Sequence, residues 1–308
     1  MTTIQFIPHN FNRSSLEVIE NANAIISEYQ DEGMTLSLRQ LFYQMVSKDM
    51  IPNTQRSYKR VGDIVSNARN AGLMSWSAIE DRNRDAYLPP AWSNPSEIVY
   101  AAAQQFRVDR WEGQENYVEI MVEKDALSGV LMPTCSKYHV RFTANKGYSS
   151  STMLFEAGRR INKIATSQDS NVQEFHIIYA GDHDPSGMDM TRDVEDRVKL
   201  YSGFGDDSAD EMIHIHRVAL NMPQVEKWNP PPNPAKQTDS RFDGYVDQYG
   251  TRKSWELDAV DPKELRKLVV DHIESLIDFE QWSVIAAKEE RMRKDLRAFA
   301  DEYEYEDE

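Results

Sequence analysis

Residues 175–187 read F-H-I-I-Y-A-G-D-H-D-P-S-G. The run Phe175–Ala180 is apolar, aromatic and β-branched, which predicts a buried strand. It stops at Gly181; Asp182 and Asp184 follow one residue apart, and Pro185 and Gly187 impose a turn. Two carboxylates this close repel unless something neutralises them, and a divalent cation does so well. Upstream, V-E-I-M-V-E-K-D-A ends a second strand, Val118–Val122, at Glu123. In an open parallel sheet, residues at the carboxyl ends of strands converge on one crevice. Glu123, Asp182 and Asp184 are therefore expected to form one magnesium site.

The elements around this stretch alternate. Helix Ala126–Lys137 follows the first strand, then strand His139–Thr143, the loop N-K-G-Y-S-S, helix Thr152–Ala165, strand Phe175–Ala180, helix Gly187–Tyr201 and a strand over Met212–Leu220. The pattern predicts an α/β fold with a Rossmann-like parallel sheet and right-handed crossovers. The glycine of N-K-G-Y lies just past a strand, where backbone approaches phosphate closely, and Lys146 beside it is placed to contact phosphate. His183, between the aspartates, should point away from them. His214 and His216 face one side of a strand, but no carboxylate or third histidine is positioned by the sequence to complete a metal site. N-P-P-P-N-P-A-K, Asn229–Lys236, reads as an extended loop, either a linker or part of a substrate groove. S-W-E-L-D-A-V then offers a strand-like piece before a turn at Asp261-Pro262, a helix to about Ile277 and a last helix over Gln281–Ala300.

Three shorter helices come first: Asn12–Tyr29 capped at Ser14 or Ser15, a second through L-S-L-R-Q-L-F-Y, and Gln55–Ala71 capped at Thr54. With L-M-S-W-S-A-I-E-D-R-N-R as a strand or wing, they read as a winged helix-turn-helix. The third helix carries Arg56, Lys59, Arg60 and Arg69 against Asp63, and Arg82 and Arg84 follow on the wing. A basic excess of this kind is the footprint of a DNA-facing helix. The proline-rich segment Leu88–Ser96 divides a winged-helix domain, residues 1–95, from a metal-binding domain with C-terminal helices, residues 96–300. The acidic residues 301–308 read as a solvating tail.

The chain of 308 residues has a net charge of −16, which weighs against general affinity for nucleic acid and leaves only local basic clusters to supply it. No apolar run approaches the ~20 residues of a membrane span, and no signal peptide opens the chain. The single cysteine, Cys135, placed between a helix and a strand, rules out an internal disulfide and suits a reducing cytoplasm.

Taken together, E-K after a strand, K-G-Y, G-D-H-D-P-S-G and E-L-D-A-V, preceded by L-R-Q-L-F-Y, resemble the motifs of one family: the DNA-cleaving subunit of topoisomerase VI and the meiotic double-strand-break transesterases, a winged helix joined to a Toprim domain. The resemblance covers roughly Leu36–Ile277. It implies Tyr43 as nucleophile with Arg39 beside it, catalytic Glu123 and Lys124, and Mg2+ held by Glu123, Asp182 and Asp184. It further implies cleavage of double-stranded DNA through a 5′-phosphotyrosyl link, in a homodimer where the tyrosine of one protomer meets the metal of the other. No ATP-binding motif is present, so strand passage would need a separate ATPase subunit. The alternatives are a Toprim nuclease that hydrolyses without the tyrosine, and a non-catalytic dimeric DNA-binding protein.

Overall fold

A computed structural model describes residues 3–79, 89–145 and 147–302. Its centre is a four-stranded, wholly parallel sheet in the order β2-β1-β3-β4, made of β1 (Asn116–Val122), β2 (Arg141–Ala144), β3 (Glu174–Ala180) and β4 (Ile213–Ala219). Alternation along the strands sorts two apolar faces. Val118, Ile120, Val122, Ile178 and Ala180 face one way, against α5 (Ser128–Tyr138) and α11 (Pro262–Ser275). Met121, Phe175, Ile177 and Tyr179 face the other, against α6 (Ser151–Ala165), α7 (Pro185–Ser202) and α8 (Asp206–Met212). Helices on both faces of a parallel sheet define the α/β class.

The chain leaves β1 toward β2 and returns to place β3 on β1's other side. This reversal opens a crevice beyond the carboxyl ends of β1 and β3. Val122 pairs with Ala180, so Glu123 and Asp182 emerge side by side at its mouth.

α1 (Arg13–Gln30), α2 (Leu38–Ser47) and α3 (Gln55–Asn70) precede the sheet. α1 is capped by Asn12, not by Ser14 or Ser15, because the Asn12 side chain accepts from Ser15 N at 2.8 Å. α2 carries a capping box of Ser37 and Gln40, and Thr54 caps α3 as expected. The strand or wing anticipated over residues 73–84 is, in its described part, a 3-10 turn at Trp76–Ala78 and a single bridge from Ile79 to Leu36. Arg82 and Arg84 lie outside the described residues, as does Lys146.

The division near residue 95 does not interrupt the apolar interior. Leu41, Phe42 and Tyr43 of α2 share one core with Leu257, Ala259 and Val260, and Thr35 N donates to Gly129 O at 3.3 Å. α4 (Pro95–Gln105) lies along α12 (Phe279–Glu302), with Ser96 Oγ donating to Ala300 O at 2.9 Å. Short helices α9 (Met222–Trp228) and α10 (Phe242–Tyr249) complete the order. The loop expected over 229–236 includes a two-residue strand, β5 (Asn233–Pro234), paired with β6 (Lys253–Ser254). Cys135 lies inside α5, buried, and burial pushes its thiol up to about 12. Among the described residues no helix is long and apolar enough to cross a membrane.

Candidate active site

A cavity of about 610 Å³ opens at the crevice, lined by Glu123, Lys124, Asp182 and Asp184 together with Arg39 and Tyr43 of the same chain. The backbone there is tightly built. A Cβ on Gly181 would stand 2.9 Å from Glu123 Oε2, and one on Gly187 would overlap the Asp182 carbonyl, so neither position takes a side chain without moving the carboxylates. Arg217, on β4, binds the carbonyls of Asp182 at 2.6 Å and of Gly181 and Gly187 at 3.1 Å. This arginine fastens the loop between β3 and α7, and nothing in the local sequence around it signals that role.

The predicted acidic residues sit in distinct settings. Glu123 Oε2 accepts from Asp182 N at 2.8 Å. Asp182 Oδ1 accepts from Leu257 N at 2.8 Å, and its Oδ2 pairs with Lys124 Nζ at 2.6 Å. Asp184 caps α7 through Gly187 N at 2.6 Å. Two further carboxylates join them. Glu256 Oε2 and Asp258 Oδ2 lie 3.2 and 3.6 Å from Lys124 Nζ. Arg39 bonds Glu256 and approaches Asp258 Oδ2 at 3.8 Å. Both carboxylates belong to the E-L-D segment, whose likeness to the transesterase motif was the signal available for Glu256; Asp258 had none.

Crowding and burial leave their mark on the charges. Burial, then repulsion from Asp182, pushes the Glu123 carboxyl up to about 7. Burial pushes Asp182 up to about 6 against the pull of Lys124. Burial also raises Asp258, whose two carboxylate oxygens have no hydrogen bond. The Lys124 ammonium is disfavoured by burial, yet Asp182, Asp258 and Glu256 outweigh that and raise its pKa.

Five carboxylates against Lys124, Arg39, Arg217 and the exposed Lys236 leave a small excess of negative charge when all are ionised. An all-oxygen donor set with that excess, beside open cavity space, suits a hard divalent cation. As placed, no three carboxylate, imidazole or thiol groups among the described residues, the expected Glu123, Asp182 and Asp184 included, converge in metal-holding geometry, and Lys124 pairs directly with Asp182. Closing around an ion would require the lysine to turn aside.

Tyr43 is 3% exposed and its hydroxyl accepts from Asn233 Nδ2 at 3.1 Å. Burial raises the phenol's pKa, opposed by the Asn233 bond and by Arg39, whose guanidinium carbon is 5.9 Å from the ring centre. The transesterase resemblance puts the tyrosine opposite a second protomer's acidic residues; here it shares a cavity with its own.

The basic residues divide. Arg56, Lys59 and Arg60 are exposed and line a separate cavity of about 780 Å³ with His9 and Phe11. Gln55 lines both cavities, so the start of α3 lies between them. Arg69 turns inward, donating to Ile79 O at 3.0 Å and covering the Trp76 ring at 5.8 Å. Lys236, unremarked in the sequence, lines the acidic cavity and is exposed.

His183 does point away from the acidic cavity. It is buried among Tyr245, Tyr249 and Trp255, with Nδ1 2.7 Å from the Tyr245 hydroxyl. His214 and His216 acquire the companions the sequence could not place: His176 stacks on both, His272 lies 4.4 Å from His216 between ring centres, and Glu174 Oε2 is 3.5 Å from His214 Nε2.

Comparison with models of known protein families and with curated proteins finds no match to this chain.

Proposed function

We propose that this protein cleaves DNA by transesterification through Tyr43, as a winged-helix and Toprim protein. The observation that carries the reading is the single cavity holding a tyrosine, an arginine, a lysine and clustered carboxylates, next to an exposed basic groove. In the reaction the Tyr43 oxygen attacks a backbone phosphorus. The bond from phosphorus to the 3′ oxygen breaks, the phenolic proton is given up, and the leaving oxygen takes a proton to become a hydroxyl. Nothing is oxidised or reduced.

Glu123, Asp182 and Asp184 would hold a magnesium ion, which supplies neutralisation of phosphate charge when bound. Arg39 stabilises the phenolate or the five-coordinate phosphate. Lys124, released from Asp182, adds a second positive charge. Arg56, Lys59 and Arg60 would hold the backbone of double-stranded DNA leading to the cavity. A homodimer would supply two such sites for two strands, and ATP-driven strand passage would draw on a separate ATPase.

A second reading has its own observation. The buried phenol, with its pKa raised, is a poor nucleophile as it stands. The same carboxylates could direct water at the phosphate instead. Incubation of end-labelled duplex with magnesium, followed by a denaturing gel, tests the two. Transesterification leaves protein attached to DNA ends in wild type and not in Tyr43→Phe. Free nicked ends from both proteins would favour hydrolysis.

A further inference from the structure

We infer that the basic cavity beside α3 takes an unpaired DNA base, stacked on the His9 ring, with the neighbouring phosphates on Arg56, Lys59 and Arg60. The preferred ligand is then DNA with an unpaired stretch, a single strand or an overhang, and not an intact duplex. The inference rests on the proposal above in taking the ligand of this cavity to be DNA, and it narrows that DNA to a class.

The aromatic wall is a built feature of the fold. His9 and Phe11 stack with ring centres 4.5 Å apart and planes 25° from parallel, and both line the cavity. Phe11 packs against the core, whereas His9 is exposed. The segment that carries them is fastened on both sides. Phe6 N and Ile7 N donate to Asn70 O at 2.8 and 3.0 Å, at the end of α3, and Asn12 caps α1. Gly72 lets the chain lie that close, since a Cβ there would stand 2.9 Å from Gln5 N. An exposed ring on backbone tied down at either side offers its face at little ordering cost.

α3 supplies the opposite wall. Arg56, Lys59 and Arg60 are spaced for one helix face, and Asp63 is the one acid among the residues lining the cavity. Arg60 Nη2 donates to Ser14 Oγ at 2.7 Å, which holds that cation between the two walls. A cationic surplus here runs against a chain of net charge −16. The volume of about 780 Å³ is ample for a nucleotide. Cations alone would suit any phosphate backbone, single or double. The exposed ring among them selects, because a base within a duplex has both faces covered and meets an aromatic side chain only where it is unstacked. Gln55 lines both cavities, so a strand held here has the acidic cavity as its neighbour across the start of α3.

Fluorescence anisotropy on the full chain, in EDTA and at low salt, tests this without requiring cleavage. The probes are a labelled DNA single strand that cannot fold on itself, the same sequence as RNA, its blunt DNA duplex, and that duplex with an unpaired overhang. Single strand and overhang should bind at least ~5-fold tighter than blunt duplex, and abasic sites in place of the unpaired bases should remove the advantage. RNA should bind no tighter than DNA. His9→Ala should weaken the single strand by ~5- to 100-fold and the blunt duplex by less than ~2-fold, with the melting temperature unchanged because His9 is exposed. His9→Phe should restore binding, since the ring's face and not its nitrogens carries the contact. Lys59→Ala should weaken strand and duplex alike.

A blunt duplex bound as tightly as the single strand, or equal losses on both from His9→Ala, would overturn the inference and leave the cleavage reading to its adduct assay. RNA bound ~5-fold tighter than DNA would assign the ring to RNA and overturn the inference too. Absence of binding to every probe would overturn it and remove the basic groove from the cleavage reading, while adduct formation would still decide the role of Tyr43.

Discussion

At the carboxyl end of β3, Asp182 stands among carboxylates that burial pushes toward their protonated form. At the amino end of the same strand, His176 stacks on both His214 and His216, and burial holds His176 and His216 down at about 4. The physical cause is the same at both ends, since low polarisability penalises whichever form is charged. The outcomes differ because an imidazole escapes by staying neutral at pH 7, whereas a carboxylate must find a proton or a cation. His176 satisfies itself with its neighbours, Nδ1 to His216 at 2.9 Å and Nε2 to Asn116 at 3.0 Å. The acidic end recruits Lys124 and Arg39 and still carries carboxylate in excess. His176 and His216 stay neutral without a ligand, and the acidic end has charge to offer one.

The largest test of this contrast is Glu123→Gln. It should abolish cleavage, by ~1,000-fold or more, while raising the melting temperature of the metal-free protein at pH 8 by a few degrees. Gln retains an acceptor for Asp182 N and removes a repelling charge; a loss of stability would show that the glutamate is held by attraction. Lys124→Met should act in the opposite sense. Leaving buried Asp182 without its cation, and Asp258 with Arg39 alone, should destabilise the fold by ~3–5 kcal/mol in urea unfolding at pH 8, and stability equal to wild type would remove Lys124 from the network.

Acidity should separate the two ends. Glu123 and Asp182 have raised folded values, so their contribution favours the fold below the ordinary carboxylate range and is lost as pH rises through about 6 to 7. The histidines have depressed folded values, so their contribution is full above about 6.5 and is lost as pH falls toward 4. Between pH 5 and 6.5 the terms oppose. In Glu123→Gln, stability should therefore fall more steeply on acidification than in wild type, and in His176→Gln less steeply; parallel profiles would break the comparison. Magnesium at millimolar concentration should raise the melting temperature of wild type and of His176→Gln alike by a few degrees, and of Asp182→Asn not at all. The smallest effect expected is on DNA affinity: Arg60→Ala should weaken binding and lower the salt dependence by about one counterion, whereas Arg69→Ala, lost from an internal tether, should leave that slope unchanged.

Much of the acidic end was legible in advance. Glu123, Asp182 and Asp184 are adjacent to strand ends, and strand ends are readable from apolar runs. Glu256 was visible only through a motif likeness. Asp258, Arg217 and Lys236 were not, because each reaches the site from a segment whose partners are remote in sequence. The histidine cluster shows the same division: alternation put His214 and His216 on one face, while His176 and His272 came from β3 and α11. Arg69 misled because a helix face rich in basic residues says nothing about which of them turns inward onto the segment that follows the helix.

By itself the sequence determined the alternation of strands and helices, the parallel sheet, and the crevice at which carboxylates would gather, since periodicity, glycine and proline act over a few residues. Tertiary structure alone decided that Lys124 sits amid Asp182, Glu256 and Asp258, that Asn233 reaches Tyr43 from the proline-rich segment, and that phenol and acids line one cavity. Those are contacts between residues remote in sequence, and they depend on how helices and loops close over the sheet, which no local pattern encodes.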